Sequence, residues 1–371
     1  MKAIFLVRDN PYPPVNGYKK RNYYLLEELK QKGFETELFI AKTEKALWQK
    51  ILLLILGIFS PIPFSAQIRT NKDLKDYLEK HLKENPVDLI ICDGIHKSLN
   101  MPFNAGGKKI LYEHNIESEI AKRYARIERN IFKKIFACME YLKFKNLQKK
   151  LWPKFDYCVA CSELDKEFMS KIINEDKVII VDNGVDLESF APWSSQIEPN
   201  TIVYTGQIGW HPNEDALIYF TKKIMPAIKK AIPGLKLWIV GANPSPKIKS
   251  LAGKNPNIIV TGFVNDVREY IAKATVFIVP LRIGSGTRIK ILEALGMQKA
   301  VISTSIGCEG LEVRDNEHLL IRDNPEEFAQ GVIELLDNEG LRIRLGENGR
   351  RLVEEKYGWK NVFKGLDKIL T

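Results

Sequence analysis

The segment from residue 276 to residue 310 constrains the fold of this chain more than any other part of the sequence. It opens with an uninterrupted apolar run, Val276–Val279, which is typical of a buried strand. A loop of small residues at 284–287 follows, and then a helical pattern from 288 to 295 that Gly296 ends. A second apolar run lies at 300–302. This order predicts a strand–loop–helix–strand unit of a parallel sheet.

The start of that helix is a predicted anion-binding site. The first N–H groups of a helix have no partner inside the helix, so they are available to an anion. Glycines in the preceding loop let the backbone come close to such a ligand. Arg288 and Lys290 add positive charge beside the same helix end.

The N-terminal part of the chain repeats the same alternation. Residues 2–7 are an apolar strand pattern, residues 18–32 a helical pattern closed by Gly33, and residues 34–40 a second strand pattern. The second half restarts with a strand at 201–206. With 371 residues, the chain is long enough for two domains, and the alternation predicts an α/β fold with parallel sheets.

The 276–310 segment resembles the donor-site signature of the GT-B glycosyltransferases, specifically the large retaining family four, the glycosyl transferases group 1. The residues that carry the resemblance are the run Leu292-Glu293-Ala294, Gly296 and the strand at 300–302. The family usually has two glutamates separated by seven residues. Glu293 matches the second of them, and Ser285 stands at the position of the first.

The resemblance implies two Rossmann-like domains that face each other across a cleft. Residues 183–192 are similar to the family's interdomain segment, with Asp182 in place of the usual proline. We therefore expect an acceptor-side domain at 1–183 and a nucleotide-sugar-binding domain at 184–356. Residues 357–371 resemble the family tail that packs back on the first domain.

The resemblance implies transfer of a sugar from a nucleotide diphosphate sugar to a glycan or lipid-linked acceptor, with retention, in polysaccharide biosynthesis. Glu293 would accept hydrogen bonds from ribose hydroxyls, and His114, in a Glu-His-Asn motif after a strand, would orient the sugar. The donor-site residues implied are Gly17, Gly241, Phe263, Val264, Ser285, Gly286, Thr287 and Glu293, and the catalytic residues are His114, Arg288 and Lys290. For Gly17 the alternative is an ordinary βα loop, and for His114 a surface histidine without a role.

Many family members hold the donor diphosphate with an Arg and a Lys in the first loop of the second domain. Neither residue type occurs in the loop that follows Gly206. Either His211 substitutes for them, or the charge comes from Arg282, Arg288 and Lys290. The second alternative is preferred, because Arg288 and Lys290 lie at the helix start itself.

Metal and cofactor motifs are missing from the sequence. It contains no Asp-x-Asp, Walker A, His-Glu-x-x-His or Gly-x-Ser-x-Gly motif, so we expect neither a metal nor a cofactor. The five cysteines are scattered, and the lone pair Cys158 and Cys161 lies in an apolar strand pattern. A strand pattern begins directly after Met1, without a signal peptide, so a reducing cytoplasm is expected.

The net charge of +10 is concentrated in residues 120–154, where eleven basic residues face two acidic ones, a net charge of +9. A long helix is predicted from residue 120 to residue 151. Its apolar side chains, Leu147 among them, together with Trp152 directly after it, indicate contact with an anionic membrane surface, so the protein is expected to be peripheral on the inner leaflet. A solvated helix face is the alternative, and nucleic acid is not expected. The apolar segment at 46–64 is too short to span a bilayer and is expected to be a buried helix rather than one lying on the membrane.

Two rival functions use the same features. A sugar-nucleotide epimerase with the GT-B fold would share the donor domain but would need carboxylates and a histidine around the sugar. A non-enzymatic protein that binds nucleic acid would use the basic segment, although aromatic residues are not interleaved with its cations in a clear pattern.

Overall fold

The computed structural model describes residues 1–41 and 46–370. It divides into two compact units, Met1–Asp182 with Phe363–Thr371, and Asn183–Val362. Each unit contains one six-stranded sheet, and every strand pair in both sheets is parallel. The expected α/β class with two Rossmann-like domains is confirmed.

The sheet of the first unit has the strand order β2-β1-β3-β4-β5-β6. Its strands are β1 (Lys2–Val7), β2 (Glu35–Ile40), β3 (Leu89–Asp93), β4 (Lys108–Tyr112), β5 (Tyr157–Ala160) and β6 (Val178–Ile180). Its helices are α1 (Gly17–Gln31), α2 (Leu47–Gly57), α3 (Phe64–Gln67), α4 (Lys72–Glu84), α5 (Glu117–Ile127), α6 (Ile131–Leu151) and α7 (Glu163–Ser170), with 3₁₀ turns at Ile95–Asn100, Trp152–Lys154 and Glu175–Lys177. Strand β2 lies on one side of β1 and β3 on the other, so the topological switch point of this sheet is between β1 and β3.

The sheet of the second unit has the order β12-β11-β10-β7-β8-β9. Its strands are β7 (Thr201–Thr205), β8 (Lys236–Val240), β9 (Ile258–Gly262), β10 (Val276–Val279), β11 (Val301–Ser303) and β12 (Leu320–Ile321). Its helices are α8 (His211–Tyr219), α9 (Met225–Ala231), α10 (Pro246–Lys254), α11 (Arg268–Lys273), α12 (Ile289–Gly296), α13 (Pro325–Asp337), α14 (Glu339–Leu352) and α15 (Trp359–Val362), with π-helical turns at Phe220–Ile224 and Val353–Tyr357. Here the topological switch point lies between β7 and β10.

Both faces of the second sheet are buried, which explains its continuous apolar runs. Successive strand residues point to opposite faces, so Ile202 and Tyr204 of β7 pack in one core and Val203 packs in the other. The first core also contains residues of α8, α9 and α13, and the second contains residues of α12. Most polar side chains of this sheet therefore lie at or next to the strand ends.

The C-terminal residues divide between the two units. Trp359 lies against Gly184 in the second unit, where a Cβ would approach the indole to 2.6 Å, and Val185 N donates to Tyr357 O at 2.8 Å. The residues after Val362, a 3₁₀ turn at Phe363–Leu366 and α16 (Asp367–Leu370), belong to the first unit. The predicted domains, 1–183 with 357–371 and 184–356, stay a prediction.

The prediction of one continuous helix from residue 120 to residue 151 is wrong, because the structure has two helices there, α5 and α6. The chain leaves the helix at Glu128 and starts α6 after Asn130, whose side chain accepts from the N–H groups of Phe132 and Lys133 at 3.1 and 3.2 Å. An asparagine cap of this kind begins a new helix rather than continuing the old one. Of the apolar residues expected on the membrane-facing side, Leu147 and Trp152 are buried in the core.

The preference for a buried helix in the apolar segment is also wrong. Helix α2 exposes Leu47, Trp48, Ile51, Leu52 and Leu54. The prediction rested on apolar composition alone. Composition shows that a helix could be buried, but it does not show whether other parts of the chain pack over it. No helix among residues 1–41 and 46–370 is long and apolar enough to cross a membrane.

The attachment of the C-terminal residues to the first unit yields a stability test at Gly365. A Cβ at this position would overlap the carbonyl oxygen of Ile180, at the end of β6. We expect Gly365→Ala to lower the free energy of unfolding of the first unit by about 1–3 kcal/mol, as overpacking usually does. Urea denaturation followed by fluorescence measures the change.

The matched control is Gly106→Ala in the first unit, because no atom lies within 4 Å of a Cβ at that position. If Gly365→Ala unfolds at the same urea concentration as the control, the described contact of the 3₁₀ turn with β6 does not hold the tail in place.

Candidate active site

Glycines occupy the carboxyl end of three neighbouring strands in the second sheet. Gly206 follows β7, Gly241 follows β8 and Gly262 ends β9, with φ angles of 146°, 144° and 72°. A Cβ at Gly241 would overlap the carbonyl oxygen of Gly206. Only glycine permits this approach of two backbones, so this edge of the sheet presents main chain rather than side chains to a ligand.

Arg288 shapes the loop between β10 and α12. Its guanidinium Nη1 donates to the carbonyl oxygens of Ser285 and Gly286, at 2.6 Å in both cases. A Cβ at Gly284 would overlap the same guanidinium group, and Arg288 as a whole is only 6% exposed. Arg288 therefore acts on the loop from within the fold, and its expected role at a diphosphate stays a prediction.

Asn183 holds the last loop residue before the helix. Its side-chain Nδ2 donates to Thr287 Oγ1 at 2.7 Å and to Thr287 O at 3.2 Å. Sequence reasoning assigned Asn183 to the domain boundary and missed this contact. The signal was the similarity of residues 183–192 to an interdomain segment, which does not reveal which loop the asparagine reaches.

Lys290 lies at the switch point between β7 and β10. Its Nζ is 3.2 Å from Asn213 Oδ1 and 4.0 Å from the centre of the Tyr204 ring. A Cβ on Gly206 would come within 2.7 Å of the same atom. Burial, with the nearby charge of Arg288, lowers the pKa of Lys290 to about 7. The lysine thus brings a titratable amine to the loop after Gly206, which contains no arginine or lysine of its own.

The other candidates for the missing charge are placed differently. Arg282 forms a two-point ion pair with Asp215, at 2.7 and 3.1 Å, so a carboxylate already matches its charge. His211 is exposed at the start of α8. Lys290, in contrast, places its Nζ beside Gly206, directly after β7.

Glu293 lies in the second turn of α12 and is 7% exposed. The end of the same helix is fixed by Arg350 of α14, whose Nη1 donates to Gly296 O at 2.6 Å and to Phe190 O at 2.9 Å. Sequence reasoning missed Arg350, because nothing in α14 indicates which carbonyl groups an arginine will reach. These contacts set the position of α12 relative to the segment that opens the second unit.

The remaining donor-site candidates of the second unit lie in the loops after β8 and β9. Gly241 belongs to the glycine edge described above, Phe263 is exposed, and Val264 packs partly against the core. In the first unit, Gly17 is the exposed first residue of α1.

A buried carboxylate organises the switch point of the first sheet. Asp93, the last residue of β3, accepts hydrogen bonds from Tyr18 Oη and His114 Nε2, and its Oδ2 is 3.4 Å from Lys97 Nζ. Tyr18 Oη in turn accepts from Arg8 N at 2.7 Å. His114, which was predicted, is therefore held by Asp93, which was not. The available signal was an aspartate directly after an apolar strand.

The charges in this cluster oppose the effect of burial. Burial alone would raise the pKa of Asp93, but Lys97, His114 and the hydrogen bonds hold it well below its usual range. Burial lowers the pKa of His114, and Asp93 counteracts part of that shift. At neutral pH the cluster consists of an ionised aspartate and a neutral histidine whose Nε2 bonds to it.

Glu113 fixes the backbone beside His114. Its carboxyl group accepts from Trp152 Nε1 at 3.0 Å and from Ile95 N at 3.2 Å. Burial raises the pKa of Glu113 to about 8.

Among residues 1–41 and 46–370, no group of three His, Cys, Asp or Glu side chains is placed to hold a metal ion.

Two family models match the chain on either side of the boundary between the units. The model "Glycosyltransferase Family 4" matches residues 15–189, and "Glycosyl transferases group 1" matches residues 199–338. The chain belongs to the GT-B glycosyltransferases. The expected membership and enzyme class are confirmed.

Curated relatives of this glycosyltransferase are distant in sequence. An "Uncharacterized 44.6 kDa protein in cps region" of Klebsiella pneumoniae is 25% identical over 391 residues, which cover 99% of each chain. The "Capsular polysaccharide biosynthesis glycosyltransferase CapM" of Staphylococcus aureus is 23% identical over 233 residues, 57% of this chain and 60% of CapM. These matches agree with the expected link to polysaccharide biosynthesis.

Solved structures share the fold of this glycosyltransferase at low identity. Sucrose-phosphate synthase from Thermosynechococcus elongatus superposes with a TM-score of 0.74 at 16% identity, covering 100% of this chain and 98% of that one. Anabaena HepE in complex with UDP-glucose has a TM-score of 0.68 at 15% identity, covering 100% and 99%.

The Asp93 cluster yields a test on the glycosyltransferase. Asp93→Asn keeps the shape of the side chain and removes the charge that raises the pKa of His114 against burial. We expect the pKa of His114 to fall further, by about one to three pH units, which is the usual effect of an adjacent opposite charge. An NMR titration, with His114→Gln to assign the signal, measures it.

Asp88→Asn is the control, because Asp88 lies before the opposite end of β3 and accepts from Lys2 N at 2.7 Å. An unchanged pKa of His114 in Asp93→Asn would show that the two side chains are not paired in solution.

Proposed function

We propose that this enzyme transfers a sugar from a nucleotide diphosphate sugar to a glycan or lipid-linked acceptor. The observation that carries the proposal is the position of Lys290 Nζ beside Gly206, at the switch point between β7 and β10, next to the first turn of α12. Open α/β sheets bind ligands at the carboxyl ends of their strands, at such a switch point. Since HepE was solved with UDP-glucose, UDP-sugars are the first donors to test.

The leaving diphosphate would be stabilised by fixed positive charge. The first turn of α12 contributes its unpaired N–H groups and the positive end of the helix dipole. Gly286 and Thr287 would donate backbone N–H groups, and Lys290 would supply the cation. Arg288 would support them by holding the loop carbonyl groups of Ser285 and Gly286. On this proposal, catalysis requires no metal and no cofactor.

The rest of the donor would be held by neighbouring loops. Glu293 would accept from the ribose hydroxyls, and backbone groups around Phe263 and Val264 would contact the base. His114, oriented by Asp93, would position the sugar. Gly17 would lie near the phosphates, and transfer would retain the anomeric configuration, as in the family that the chain resembles.

The acceptor and the location of the enzyme follow from the charge distribution. We propose a peripheral enzyme on the cytoplasmic leaflet, with the basic residues of 120–154 near anionic lipid. Exposed cations at Arg126, Arg129, Lys133 and Lys134 lie around the start of α6 and are the part of the segment best placed for this contact. The capsular function of CapM supports a surface polysaccharide as the product class.

A donor screen tests the proposed function. Thermal shift across UDP-, GDP- and ADP-sugars identifies the nucleotide, and incubation of that donor with and without lipid-linked acceptors identifies transfer. Activity should persist in EDTA. Consumption of the donor without an acceptor, with a new sugar nucleotide as product, would identify an epimerase instead.

Glu293 provides the first quantitative prediction. A hydrogen bond that involves a charged group contributes about 1.5–3 kcal/mol, so Glu293→Ala should weaken nucleotide binding by about ten- to a hundredfold. Isothermal titration calorimetry measures the affinity, and the melting temperature checks the fold. Glu347→Ala, an exposed carboxylate on α14, is the control. Equal affinities in both variants would remove Glu293 from the site.

Lys290 predicts a pH dependence of nucleotide diphosphate binding. Its pKa in the empty protein is about 7, and a bound diphosphate would raise that pKa. Between the two pKa values, binding takes up a proton, so affinity falls as pH rises above about 7, by at most tenfold for each pH unit. Calorimetry at pH 8 in buffers of different ionisation enthalpy should show uptake of close to one proton.

Lys290→Met should abolish this uptake. The matched control is Lys299→Met, since burial also lowers the pKa of Lys299, to about 8, while its Nζ donates to Ala272 O of α11 and to Ala274 O just after that helix. Proton uptake that survives Lys290→Met would place the titrating group elsewhere.

A further inference from the structure

The first unit carries an exposed apolar surface centred on α2. Trp48 is 65% exposed and Phe59, just after the helix, is 90% exposed. The other exposed apolar side chains of this segment are Leu47, Ile51, Leu52, Leu54 and Ile58. Monomeric soluble domains rarely leave so many neighbouring large apolar side chains in water, so this surface requires an occupant.

The first turns of α6 extend the same surface. Ile131, Ile135 and Leu142 lie on one stripe of the helix, and all three are exposed together with Phe132. We call the exposed apolar side chains of residues 47–59 and of 131–142 the docking surface.

The two parts of the docking surface are held side by side. Lys143 Nζ of α6 donates to Gly57 O, the last residue of α2, at 2.6 Å. Phe64 N donates to both carboxylate oxygens of Glu140, at 3.0 and 3.1 Å, and the Phe64 and Phe136 rings are 6.4 Å apart. These contacts attach the end of α2 and the segment after it to α6, so the apolar side chains form one surface.

The charge around the docking surface selects its occupant. Arg126, Arg129, Lys133 and Lys134 are exposed at or beside the start of α6. The acidic residue among them, Glu128, is already bound to Tyr124 Oη at 2.5 Å and to Asn130 N at 2.8 Å. A symmetric pair of copies would bring these cations against each other, because such an interface joins the same patch of both subunits. An anionic lipid surface complements both the charge and the apolar side chains.

We infer that the docking surface inserts its apolar side chains between the lipids of an anionic membrane, with α2 lying in the plane of the interface. Helix α2 has 11 residues and is therefore about 16 Å long, which is too short to span a bilayer but suits an interfacial helix. Insertion adds an apolar component, contributed by residues 47–59 together with the exposed apolar side chains of α6, to the electrostatic contact proposed above.

The segment after α2 leads from the docking surface to the polar edge of the first sheet. Arg69 donates to Ser65 O at 2.8 Å, and Ser65 Oγ is 3.3 Å from His96 Nδ1. His96 follows Asp93, at the end of β3, by three residues. Resting on the proposed function, the inference therefore selects a lipid-linked acceptor, whose lipid remains in the membrane beside α2 while its polar head reaches this edge.

The test measures binding to vesicles of equal parts phosphatidylcholine and phosphatidylglycerol. Salt separates the two components, because the Debye length falls from about 10 Å at 0.1 M to about 3 Å at 1 M. We expect binding to weaken at 1 M salt but to persist, and the fluorescence of Trp48 to shift to the blue. Ile51→Asp should lower the partition coefficient at 1 M salt by about tenfold or more.

The matched control is Ile343→Asp on α14, since Ile343 is 53% exposed and Ile51 is 50% exposed. Trp48→Phe identifies the source of the fluorescence shift. Equal binding of Ile51→Asp and Ile343→Asp, complete loss of wild-type binding at 1 M salt, or a dimer that Ile51→Asp dissociates would each overturn the inference.

Donor binding and transfer to a water-soluble acceptor analogue are measured on the same variants. If Ile51→Asp retains both but loses only transfer to a vesicle-embedded acceptor, the membrane role stands on its own. If transfer fails for every acceptor while vesicle binding persists, the proposed function fails and the docking surface does not.

Discussion

Burial of the central strands of each parallel sheet on both faces is the constraint on which the rest of the structure depends. A strand covered on two sides cannot carry polar side chains along its length, so they appear where it ends. Asp93 lies at the end of β3, Gly206 follows β7, and Gly241 follows β8. The candidate site residues on both sheets are consequences of this rule, because the carboxyl edge is the part of each sheet that is open to chemistry.

The two sheet edges manage charge in opposite ways. In the first unit, Lys97, Tyr18 and His114 surround Asp93 and keep its carboxylate ionised despite complete burial. In the second unit, Lys290 has the Tyr204 ring and Asn213 as partners, and neither carries a formal charge that would hold its proton. An aspartate that stays ionised is suited to orienting a neighbouring side chain such as His114. An amine with a pKa of about 7 is suited to binding an anion, because the anion stabilises its protonated form.

Local sequence patterns predicted the helices and strands, but they could not predict contacts between residues that are far apart in the sequence. The strand Val276–Val279 was predicted with its observed bounds, and α12 to within one residue at each end, because both are determined by apolar periodicity and a terminating glycine. Asn183 and Arg350 were missed, since their partners lie in other elements. Lys290 was predicted from its place beside a helix start, but its approach to Gly206 depends on how β7 and β10 pair.

Arg350 gives α12 a second charged end. The carbonyl of Gly296 lies at the negative end of the helix dipole, and the guanidinium bound to it is a full positive charge. The proposed anion would occupy the positive end, at the other end of this eight-residue helix. Both partners would stabilise the same short helix, so each would strengthen the binding of the other. Because Arg350 also holds the carbonyl of Phe190, an anion in the proposed site would be thermodynamically coupled to order in the chain that opens the second unit.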